Sequence, residues 1–112
     1  MSGSGSRIVE KGDMTPDNFK SSLAEKMPPA GVSAVLRALW WAANDDWDRA
    51  HQIVMNEDSG DCAWVHAYLH RVEGDLDNAS YWYRRAHRKP ATHELAAEWN
   101  EIAAALLESD RR

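Results

Sequence analysis

The 112-residue chain is poor in the features that announce most functions. It has one cysteine, so no intrachain disulfide framework is possible, and this fits a reducing, cytoplasmic setting. No apolar run approaches the roughly 18 residues of a membrane span, and no secretory h-region opens the chain. Basic residues are outnumbered, 13 against 18 acidic ones, and the formal net charge of −5 argues against nucleic-acid and anionic-membrane partners. Alternating apolar runs between turns are missing, which leaves little room for strands. Walker loops, dinucleotide fingerprints, nucleophile elbows and paired-cysteine zinc motifs are all lacking.

What is there is tryptophan, six in a chain this short, and helical periodicity. Residues 1–14 read as an added Ser/Gly linker (Met1–Ser6) and a flexible arm, and residues 15–109 as a single all-α domain of about six helices. Thr15-Pro16-Asp17 is a helix start, with Phe19, Leu23 and Met27 as its stripe. A second helix spans Val32–Asn44 and a third Trp47 to about Asn56, capped by Asn44-Asp45-Asp46. Ser59 and its neighbours cap a fourth near Cys62. Ala63–Arg88 then forms a helical hairpin broken at Gly74-Asp75, where glycine supplies the left-handed backbone and aspartate caps the next helix. Pro90 ends the hairpin. Thr92 is expected to cap the last helix, whose apolar stripe runs Leu95, Trp99, Ile102 and Leu106, with Glu94, Glu98, Glu101 and Glu108 on a polar outer face.

Asp46-Trp47-Asp48-Arg49-Ala50 anticipates Asp75-Leu76-Asp77-Asn78-Ala79 by about 29 positions. With Gly74 ahead of Asp75, Tyr83 and Ala86 behind it, and Ala38 and Ala67 seven residues before each turn, the chain resembles tetratricopeptide-repeat proteins over about residues 32–90. The likeness departs from that family in its shorter period, about 29 against ~34. The segment WVHAYLHR-EGD through NA-YWYRRA also resembles small bacterial and fungal proteins of uncharacterised function. The tetratricopeptide resemblance implies antiparallel hairpins, terminal capping helices and a protein- or peptide-binding role.

Two sets of residues carry candidate functions. The first is an interaction surface for a protein, a peptide or a second copy of the chain, built from Trp40, Trp41, Trp64 and Tyr68, with Arg84, Arg85 and Arg88 for charge complementarity. This surface needs no cofactor and implies no catalysis. The second lies along the fourth helix, where Cys62, His66, His70 and Glu73 fall on one face at 100° per residue. Histidines at i and i+4 reach a single ion from one helix. His66, His70 and Glu73, with His51 or His87 as a ligand from elsewhere, are the candidates for a transition metal such as zinc. The competing structural reading has the histidines hydrogen-bonding across the hairpin to Tyr83 or Asp77. Cys62 and His66, also four apart, are spaced for a thiolate–imidazolium dyad.

Overall fold

The computed structural model describes residues 14–110, and the expected linker and arm lie almost wholly outside them. Met14, assigned to the arm, is buried. Among the described residues there are six α-helices and no strands: α1 (Pro16–Ser21, continued by a 3-10 turn at Ser22–Ala24), α2 (Ala34–Ala43), α3 (Trp47–Met55), α4 (Gly60–Val72), α5 (Leu76–Arg85) and α6 (Leu95–Asp110). The all-α expectation holds. Among the described residues no helix is long and apolar enough to cross a membrane.

Helix α4 is the axis. Ser59 caps it, its hydroxyl accepting from the Cys62 amide at 3.1 Å. Every residue from Cys62 to His70 is buried. The helix packs against α2, α3, α5 and α6 at once, so it is covered all round rather than along one stripe. The paired helices α2–α3 and α4–α5 form two hairpins with matching turns. Gly74 has φ +87° and Asp45, its counterpart, φ 65°. In each turn the following aspartate amide reaches back five residues, Asp46 to Trp41 O and Asp75 to His70 O, both at 2.9 Å. This bond is the mark of a left-handed helix stop. Asp46 and Asp75 then cap α3 and α5 through their carboxylates. Ala38 and Ala67 are fully buried, as expected where helices approach closely.

The ends depart from the sequence expectation. The first helix unwinds after Ser21, and Met27 is exposed. Thr92 does not cap α6, which begins at Leu95. Nor is α6 a plain terminal cap with Glu98 on its outer face. It packs on α1, α2 and α4, and Glu98 is only 1% exposed. The Glu98 carboxylate accepts from the Tyr83 hydroxyl (2.6 Å), the Arg71 guanidinium (2.8 Å) and the Trp64 indole (3.4 Å). Arg71 also donates to the His93 carbonyl. A buried carboxylate is tolerable only when paired and hydrogen-bonded, and these three donors meet that need. The cluster joins α4, α5 and α6. Burial, followed by the Glu98 carboxylate, pushes the Tyr83 hydroxyl well above its ordinary pKa.

Tryptophan N–H groups stitch the remaining elements together. Trp99 donates to Leu39 O at 2.9 Å and stacks on Phe19, tying α6 to α2 and α1. Trp40 donates to the Ser22 hydroxyl at 3.1 Å. Trp47 donates to Leu69 O at 2.7 Å, holding α3 on α4.

Replacing Glu98 by Ala strands Arg71 and orphans the Tyr83 hydroxyl. Urea denaturation is expected to show a loss of about 3–5 kcal/mol. Glu101→Ala, which breaks an exposed contact with His93, should change stability by no more than about 0.5 kcal/mol.

Candidate functional site

Three histidines converge where α3 lies on α4. His66 and His70 stand one turn apart on α4, and His51 reaches them from the middle of α3. Each offers one ring nitrogen, and the three nitrogens lie within 4.8 Å of one another. His51 Nε2 and His66 Nε2 are 3.0 Å apart. The imidazoles of His66 and His70 stack at 4.9 Å between ring centres, with His51 edge-on to both. The i, i+4 spacing places two rings on one side of α4, and the docking of α3 supplies the third.

The surroundings hold these rings in place. His70 Nδ1 is 2.7 Å from the Glu73 carboxylate. A carboxylate only accepts, so Nδ1 is the donor. Trp47, one turn before His51 on α3, stacks on His51 at 4.6 Å. Trp82 from α5 stacks on His66 at 3.9 Å. His66 and His70 are 5% and 7% exposed, whereas His51 is half-buried and forms the open side.

Burial and mutual repulsion disfavour protonation of His66 and His51. Burial, then the neighbouring His51 and His70, lowers the His66 pKa to about 4. Burial and His70 lower that of His51, against the opposing pull of Glu73 and Asp48. Neutral imidazoles with free lone pairs are what a metal ion requires. Nδ1 of His66, moreover, is buried with no hydrogen-bond partner.

The structure thus brings His51, His66 and His70 together, with Glu73 held behind His70. It excludes the second proposed outside ligand: His87 sits beyond α5 in a cleft with Arg88 and His93. The histidines do not bond to Tyr83 or Asp77, because Glu98 takes the Tyr83 hydroxyl. Cys62 is 2% exposed, and burial, the largest influence, raises its pKa. A reactive thiolate is disfavoured there. Trp47 and Trp82 were missed as site residues. The spacing of Trp47 four before His51 was the available signal for the first.

The interaction set is dispersed. Trp40 and Trp64 are interior, 1% and 3% exposed, which corrects their role as surface anchors. Each is large and sends its N–H to an internal acceptor. Trp41 is half-buried beneath the Arg49 guanidinium, 4.1 Å from its ring. Arg88 lies 3.3 Å over Trp64, Arg85 pairs with Asp58 at 2.9 Å, and Arg84 is exposed. Tyr68 is buried but lines a mainly apolar hollow of about 360 Å³, with Leu23, Ala42, Val72, Leu95 and Trp99. Comparison of the chain with protein-family models, curated proteins and solved structures gives no match.

The lowered pKa of His66 sets the acid stability of the metal-free protein. The unfolded chain takes up this proton near pH 6.5, the folded one only near pH 4. The contribution is therefore complete above about pH 6.5 and is lost as the pH falls from there towards 4, on the order of 3 kcal/mol in all. Denaturation across pH 4–7 in EDTA is expected to show this loss, and His66→Phe should flatten the difference between the two ends.

Proposed function

We propose that this protein is a small metal-binding helical domain whose ion is held by His51, His66 and His70. The observation that carries this reading is the convergence of three imidazole nitrogens from two different helices. Tetrahedral zinc, with Zn–N of 2.0–2.1 Å, needs ligand nitrogens about 3.3 Å apart. Ring rotations that move the nitrogens by about an ångström would reach that spacing. The Glu73–His70 pair is the arrangement in which a carboxylate orients a metal-ligating histidine and raises its basicity. Imidazole ligands suit zinc, copper and nickel better than magnesium or calcium. The reading is one of binding rather than catalysis, in a chain whose lone buried cysteine suits a reducing cytosol. The two hairpins are taken as tetratricopeptide-like, supported by the matching left-handed stops at Asp45 and Gly74.

Elemental analysis and zinc calorimetry on untagged, chelator-treated protein test this. One equivalent of zinc is expected to bind. His51→Ala and the double variant His66→Ala/His70→Ala should lose stoichiometric binding, and Glu73→Gln should weaken it by about 10–100-fold. Absence of stoichiometric metal, or binding that survives the double variant, rejects the site.

A second reading, self-association, has its own observation. Val72, 43% exposed, lines the hollow with Tyr68 and Leu95, and Leu76, four residues on in the chain, is 63% exposed; such apolar surface suits a second copy of the chain. Sedimentation should then show a dimer that Val72→Glu/Leu76→Glu returns to monomer. A wild-type protein that stays monomeric at high micromolar concentration removes this reading.

A further inference from the structure

Resting on the metal-binding reading, we propose that an ion at His51, His66 and His70 keeps one coordination position for a small anion from solution. Three donors converge here among the described residues, and zinc-like ions take four. The other nearby donors are committed. Glu73 is held by His70 Nδ1 at 2.7 Å. Asp75, which with Glu73 and His70 forms a second, more exposed group, caps α5 through both carboxylate oxygens, accepting from the Asn78 amide and side chain. Cys62 lies on the same helix but outside the convergent group.

The balance of charge favours an anion in that position. Three neutral imidazoles leave the ion's charge uncompensated, and two of them are under a tenth exposed, so the charge is poorly screened. Structural sites with two or more thiolates have no such excess. His51, the half-buried member, leaves a way in from solvent. The Arg85 guanidinium lies 5.4 Å from the ring of Trp82, which itself covers His66, and its charge is met by Asp58 at 2.9 Å. Glu73 and Asp48 act in the opposite sense on His51. Glu73, however, is engaged behind His70, and Asp48 is solvent-exposed, where its field is damped. With Trp47 stacked on His51 and Trp82 on His66, the ligand expected is a compact monoanion bearing a lone pair.

Cobalt(II) is the probe, because its visible absorption reports both coordination number and ligand exchange. Chelator-treated protein loaded with one equivalent of cobalt is titrated with sodium azide. The expected result is a saturable spectral change with one azide per cobalt, absent in the double variant His66→Ala/His70→Ala. A protein that binds cobalt stoichiometrically yet shows no change up to roughly 100 mM azide overturns the open position while leaving the metal site intact. A response that appears only in Glu73→Gln also overturns it, since Glu73 would then be the fourth ligand. Failure to bind cobalt at all overturns both proposals.

Discussion

The structure depends on the burial of α4 from Cys62 to His70. A helix sheathed by four others has no face on which to leave polar groups in water, so each one must find an internal answer. Arg71 finds Glu98 from α6. His70 finds Glu73, one turn on. His66 finds His51 and the face of Trp82. The neighbouring helices are placed by these partnerships as much as by apolar packing: α3 through the Trp47 bond to Leu69 O, α5 through Tyr83, α6 through Glu98. Remove α4 and neither the histidine cluster nor the buried carboxylate has a framework.

The helices and their stops were largely legible because they rest on local chemistry. Thr15, Ser59, Asp46 and Asp75 all cap as their positions suggest. Asp45 and Gly74 share a left-handed backbone conformation, even though only one of the two residues is glycine. Aspartate tolerates the left-handed region better than most residues. Two of the three imidazoles were legible for the same reason. His66 and His70 share a helix, so their spacing alone places them side by side.

What could not be read depends on packing between elements. His51 stood as one of two outside candidates, and only the crossing of α3 over α4 separates it from His87. Glu98 was misplaced because its neighbours at i±3 and i±4, Glu94 and Glu101, suggest a charged outer stripe. The half-buried arginine that draws it inward, Arg71, lies 27 residues upstream. The tryptophans mislead in a similar way. Their large apolar area marks them equally as core or as interface, and it is the destination of the indole N–H that decides. Trp40, Trp64 and Trp99 send theirs inward.

One consequence of the layout concerns thermodynamic linkage. His51 belongs to the first hairpin, whereas His66 and His70 belong to the second, so the site is composed only when the two halves are docked. Occupancy and docking are therefore reciprocal: whatever holds the three rings together clamps the hairpins, and whatever parts the hairpins weakens the hold on the ligand by the same factor. A single hairpin excised from the chain would keep its helical turn of histidines and lose the site.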